Sequence, residues 1–123
     1  MIIYVLNKAL LGKIQGVNMT NIKHVTESTF RQEVEKSTVP VLVDFYADWC
    51  GPCQMVQPEL EALASSNKNV VVAKVNVDEN NNLAERFGIN NIPCMLLFKN
   101  GEVKKTIIGF RTRQQLETAV NLD

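Results

Sequence analysis

From Ile22 onward, apolar positions fall into two rhythms, short continuous runs and stripes at helical spacing. Residues 22–25 read as a short strand. Thr26 and Ser28 then offer N-cap side chains, and Phe30 and Val34, four apart, give the next segment one apolar helical face. Residues 39–47 (VPVLVDFYA) are nearly continuously apolar and rich in β-branched side chains. A strand apolar on both sides belongs at the centre of a sheet covered by helices on both faces. Asp44 is the one polar residue in it. Residues 52–66 carry Cys53, Val56, Leu60, Leu63 and Ala64 along one helical stripe, with Pro58 inside it, which predicts a kink. Residues 70–77 form a second apolar strand. The long helix between the two implies a parallel β-α-β unit.

The second half of the chain reads the same way. Leu83, Ala84 and Phe87 mark a short helix that Gly88 closes with a left-handed cap. Residues 94–99 and 102–109 flank Asn100-Gly101, whose tolerance of positive φ predicts a type I′ hairpin. Thr112 with Gln115 three residues on forms a capping box, and Leu116, Ala119 and Val120 face inward from a final helix. The expected order is β-α-β-α-β-α-β-β-α. This is an α/β fold with a central mixed sheet of about five strands and helices on both faces.

The amino terminus stands apart. Residues 1–19 (MIIYVLNKALLGKIQGVNM) start apolar and are then interrupted by Lys8, Gly12, Lys13 and Gly16. A secretory signal has positive charge ahead of an unbroken apolar run of roughly 7–15 residues, and this segment has neither. No stretch approaches the roughly 20 apolar residues that span a bilayer. The expectation is that residues 1–18 are a disordered extension or follow from an upstream start, with Met19 as the true first residue. An anchor or targeting segment is the competing reading. The domain is placed at residues 19–123, and no membrane partner is expected.

Composition narrows the chemistry. The 123 residues fit one domain, and 46% hydrophobic content supports a core without staples. Thirteen basic and thirteen acidic side chains balance to zero, so no overall field draws nucleic acid, and none is expected as a partner. With no spare apolar helix face, a monomer is expected. The cysteines are Cys50, Cys53 and Cys94, an odd, sparse set unlike a secreted disulfide framework. A C-x-x-C pair in such a chain means metal binding or redox chemistry.

Trp49-Cys50-Gly51-Pro52-Cys53 falls where a central strand turns into a helix. A helix amino terminus carries unpaired N–H groups and about half a positive charge, so a cysteine at its N-cap has a stabilised, nucleophilic thiolate. Pro52 suits the first turn, where its missing N–H costs nothing. Gly51 leaves the approach to the sulfur uncrowded. Cys53, one turn on, is placed to attack a mixed disulfide formed by Cys50. The alternative is zinc. Three cysteines and His24 just supply four ligands, yet Cys94 has no second cysteine near it and the paired spacing of a zinc site is missing. Redox chemistry with no metal is the expectation.

The runs V-D-F-Y-A-D-W-C-G-P-C, V-A-K-V-N-V-D, G-I-N-N-I-P, L-F-K-N-G and G-F, in this order and spacing, resemble the thioredoxin family from Ile22 to the end. The resemblance implies a cytoplasmic protein-disulfide reductase of thioredoxin fold. Cys50 would be the attacking and Cys53 the resolving thiol. No bound cofactor is implied. The Cys50–Cys53 disulfide would be recharged by an NADPH-dependent thioredoxin reductase and spent on disulfide-containing client proteins. Asp44 matches the family's buried carboxylate, and an isolated acid in an apolar strand should indeed have a raised pKa. Lys74 matches the lysine near that acid; a solvated strand lysine is the competing reading. Ile92-Pro93 matches the cis-proline loop, and Trp49, Pro52, Ile92, Pro93 and Gly109 would form a flat apolar docking surface. Strand-like pairing with the Ile92 backbone would make that binding tolerant of client sequence.

Two positions depart from the family pattern. Gln54 stands where lysine is frequent, and Cys94 where threonine follows the proline. Cys94 reads first as a small buried filler, and alternatively as a third reactive thiol. Two competing functions remain. Oxidases and isomerases of the same fold usually carry histidine between the cysteines, unlike Gly51-Pro52. A scaffold or clamp role, with incidental thiol chemistry, would survive replacement of both cysteines by serine.

Overall fold

The computed structural model describes residues 21–122, so the expectations for residues 1–18 and for Met19 lie outside the described residues. Five strands form one sheet: β1 (Ile22–His24), β2 (Val41–Tyr46), β3 (Val71–Asn76), β4 (Cys94–Lys99) and β5 (Glu102–Ile108). Their spatial order is β1-β3-β2-β4-β5. β1, β3 and β2 run parallel, while β4 and β5 are antiparallel to their neighbours. The run of residues 39–47 becomes β2 at the centre. The chain enters the strand only after Pro40, which brings no backbone donor to a ladder.

Alternation along β2 sends its side chains into two separate cores. Leu42 packs with Val56, Leu60 and Leu63 of α2 (Gly51–Ser66) and Leu116 and Val120 of α4 (Arg113–Val120). Val41, Val43 and Phe45 pack on the other face with Phe30 and Val34 of the first helical segment and Leu83 of α3 (Asn81–Arg86). Helices thus cover both faces. The second core holds an aromatic cluster, in which the Phe30, Phe87 and Phe98 rings lie 5.4–5.6 Å apart.

Most boundaries follow the local signals. The buried positions of α2 are Cys53, Val56, Leu60, Leu63 and Ala64, the stripe read from the sequence, and the helix continues through Pro58. Asn100 and Gly101 have φ of 54° and 80°, as a type I′ turn requires. Thr112 and Gln115 make both hydrogen bonds of the capping box. Gly88 takes φ of 63° just past α3. The first helical segment, α1 (Arg31–Glu35), differs from expectation. It is one wide π-type turn closed by Lys36 N–H to Arg31 O at 2.9 Å, and its start carries no side-chain cap. Thr29 Oγ1 instead accepts from Thr26 N–H at 2.9 Å. Phe30 and Val34 are both buried as their spacing implies, so packing of that face, not capping, holds the segment.

Candidate functional site

β2 ends at Tyr46, and Ala47, Asp48 and Trp49 carry the chain up to the first turn of α2. Cys50 is the N-cap of that helix, with extended φ and ψ of −91° and 111°. Its sulfur accepts the backbone N–H of Cys53 at 3.2 Å, satisfying one of the donors a helix start leaves open. Pro52 occupies the first turn, where no donor is required. Cys50 and Cys53 are joined in a disulfide, with their Cα atoms 5.2 Å apart. The structure is therefore that of the oxidised protein.

The residues packed around the two sulfurs are apolar. The two cysteines are each 4% exposed and pack with Ala47, Tyr46, Val77 and Ile92. Trp49 beside them is 70% exposed. Its indole N–H donates to Asp78 Oδ2 at 2.9 Å. The Ile92-Pro93 peptide is cis, and the Ile92 carbonyl oxygen lies 3.9 Å from Cys50 Sγ. Gly109 has φ of 93° and donates its N–H to Pro93 O at 2.8 Å, which ties the end of β5 to the proline loop. Gly51 is exposed, and a Cβ there would meet nothing within 4 Å. The sequence-predicted residues of the dithiol turn and the proline loop thus converge on one end of the sheet.

Asp44 lies two residues before Tyr46, on the same face of β2 by alternation. It is 0% exposed, and neither carboxylate oxygen has a hydrogen-bond partner. Burial pushes its pKa up from 3.8 to about 7, with the Lys74 charge pulling part of the way back. Lys74 sits directly opposite Asp44 in the β2–β3 register. Among the described residues it makes no ion pair with that acid; its Nζ lies 4.1 Å from the centroid of the Tyr46 ring. Burial holds the Lys74 pKa below the usual lysine range, against the pull of Asp44, Glu61 and Asp48. Tyr46, Lys74, Cys53, Gln54 and Gln57 line a cavity of about 220 Å³ beside the dithiol. Cys94 is buried in the opposite core with Phe45 and Phe98, as a small filler would be, and burial raises its thiol pKa.

The sequence that builds this geometry matches known proteins over the described residues. A family model for thioredoxin covers residues 21–122. The chain belongs to the thioredoxin family. It is 46% identical over 99 residues to the thioredoxin of Rickettsia felis, spanning 80% of this chain and 94% of the relative. Identity to the thioredoxin of Porphyra purpurea is 42% over 102 residues, or 82% and 95% of the two chains. Identity to thioredoxin 1 of Synechococcus elongatus is 49% over 86 residues, or 69% and 80%. As a member of that family, this protein is a thiol–disulfide oxidoreductase whose redox group is its own cysteine pair. Among the described residues, no helix is long and apolar enough to cross a membrane.

Three side chains of this site escaped the sequence reading. Asp78 holds the Trp49 indole, Tyr46 holds the Lys74 ammonium, and Asn76 Oδ1 accepts Asp78 N–H at 2.8 Å and so shapes the turn that presents Asp78. Only the strand register could have flagged Tyr46 and Lys74 together; nothing local marks Asp78. Gln54, the departure from the family pattern, donates to Asp48 O at 2.9 Å and braces the turn.

Proposed function

We propose that this protein is a cytoplasmic, monomeric reductase of protein disulfides in which Cys50 attacks and Cys53 resolves. The observation that carries the reading is the Cys50 sulfur at the N-cap of α2, receiving the Cys53 N–H at 3.2 Å. In the reduced protein the same donor and the helix dipole favour the Cys50 thiolate. That thiolate attacks one sulfur of a client disulfide; the client S–S bond breaks and its other sulfur leaves as a thiolate. Cys53 then gives its proton to the Asp44 carboxylate and attacks Cys50 in the mixed disulfide, releasing the second client thiolate. Two electrons pass to the client, whose two sulfurs take up protons, and the protein is left with the Cys50–Cys53 disulfide.

The supporting residues follow from their positions. Asp44, with a pKa of about 7, is suited to exchange a proton near neutrality. Lys74 offers a compensating charge as Asp44 ionises. Trp49, Gly51, Pro52, Ile92, Pro93 and Gly109 form the docking surface, on which an extended client segment pairs with the Ile92 backbone. A flavin-dependent thioredoxin reductase drawing on NADPH returns the disulfide to the dithiol. The reading is tested by equilibrating the Cys50–Cys53 couple against glutathione. A potential near the roughly −270 mV typical of thioredoxins as a class supports a reductant, and one at roughly −180 to −120 mV overturns it.

A further inference from the structure

Lys74 is half-buried, and among the described residues no carboxylate lies close enough to form an ion pair with it. The group its ammonium meets is the face of Tyr46, 4.1 Å from the ring centroid. Asp44 and Tyr46 share a face of β2, and the register places Lys74 opposite Asp44 and Asn76 opposite Tyr46. The ring therefore stands one alternation beyond the acid, on the face that the Lys74 side chain also occupies. Tyr46 is itself restrained. It packs against the dithiol cluster, and the Asn76 amide acts on its hydroxyl from the neighbouring strand.

We propose that Tyr46 is a positioning residue, its ring keeping the Lys74 ammonium within electrostatic reach of Asp44 and so controlling proton exchange between Asp44 and Cys53. An ammonium on a flexible four-carbon stem is strongly hydrated and moves out to water unless something holds it. An aromatic face holds a cation without sharing a proton with it. That distinction matters here. A hydrogen-bonded ion pair would lock Asp44 as a carboxylate, whereas a lysine parked on a ring moderates the acid and leaves it able to take up a proton. The other groups acting on this pair come from every side: Glu61 and Cys53 from α2, Asp48 from the turn before it, Glu79 after β3, and Cys94 from β4. None of them supplies a second positive charge, so Lys74 is the lever.

The inference rests on Asp44 being the proton acceptor proposed above, and the test separates the two. The Asp44 carboxyl carbon is titrated by NMR in the reduced protein, in wild type, Tyr46→Phe, Tyr46→Leu, Lys74→Met and the Tyr46→Leu/Lys74→Met double variant. Tyr46→Phe keeps the face and should leave the midpoint in place. Tyr46→Leu releases the lysine and should raise the midpoint by roughly half a pH unit or more. In the Lys74→Met background that increment should shrink by at least half, because there is no ammonium left to release. A Tyr46→Leu midpoint that is unchanged or lower overturns the proposal, since a ring that only excludes water would, when removed, hydrate the acid and lower it. An increment that persists beyond half without Lys74 overturns it as well. Tyr46→Met, of similar volume without a π face, replaces the leucine variant if that one does not fold. Slowed resolution in Asp44→Asn tests the acceptor role alone, so either idea can fail without the other.

Discussion

The Trp49 indole N–H donates to Asp78 Oδ2 at 2.9 Å, across 29 positions of sequence. Trp49 is 70% exposed, so this bond helps to orient a large ring beside the dithiol. The ring thereby becomes part of a fixed platform beside Cys50. Pre-orienting it removes an ordering penalty from client binding.

Asp78→Ala is expected to raise KM for a protein-disulfide client about 5-fold, the value of one ordinary hydrogen bond, with little change in kcat. Trp49 is the single tryptophan of the chain, so its fluorescence anisotropy reports the same loss directly. The variant should show lower anisotropy in the free protein. Unchanged anisotropy together with unchanged KM would remove Asp78 from the docking platform.

Asp44 makes the folded state sensitive to pH. Its folded pKa of about 7 lies above its unfolded value, so the folded state holds the proton more tightly. The sign follows: the stability is fully present below about pH 4 and is lost as pH rises toward about pH 7. Asp44→Asn cannot ionise and escapes the loss. In urea unfolding of the oxidised protein, the stability advantage of Asp44→Asn over wild type should grow by roughly 4 kcal/mol between about pH 4 and pH 8. A pH-independent gap would contradict the buried carboxyl.

The same substitution should separate attack from resolution. With Asp44→Asn, formation of the mixed disulfide by Cys50 proceeds normally, while its resolution by Cys53 slows on the order of 10- to 100-fold at neutral pH. Quenched-flow trapping of the mixed disulfide measures both steps. Equal slowing of both would mean that Asp44 acts on Cys50 or on the fold.

Leu60 is fully buried at the middle of α2 and packs in the core that joins α2, α4 and the sheet. Leu60→Ala should cost about 2–5 kcal/mol in denaturant unfolding. The Cys50–Cys53 potential should stay within error, because the N-cap contact lies at the start of the helix, away from Leu60. A large change in potential would show the dithiol to be coupled to the whole core.

Gly101 has φ of 80°, and a Cβ there would stand 3.2 Å from the Glu35 backbone oxygen. Gly101→Ala combines left-handed strain with that close approach and should cost about 1–3 kcal/mol. Thermal unfolding checks this, and a neutral result would mean that the hairpin and the end of α1 yield together.

Most local structure was legible because its causes are local. The β2 run, the five-residue stripe of α2, the Asn100-Gly101 turn and the Thr112–Gln115 box each lie within a few residues of their own signal. α1 was the exception. Its sequence offers cap residues, but the segment is held by Phe30 and Val34 packing into an aromatic cluster contributed by Phe87 and Phe98, far along the chain. A tertiary contact decided its geometry, and a π-type turn resulted.

The same division runs through the site. The dithiol turn could be read from local residues, because a cysteine, a proline and a second cysteine one turn on are what a reactive helix start requires. The isolation of Asp44 in an apolar strand could be read in the same way. What faces that acid and that tryptophan came from the folded arrangement: Lys74 opposite Asp44, the Tyr46 ring under the ammonium, and Asp78 on the indole. Those pairings depend on strand register and on how a turn folds back. They are fixed by burial of both sheet faces at once, a constraint that no window of sequence contains.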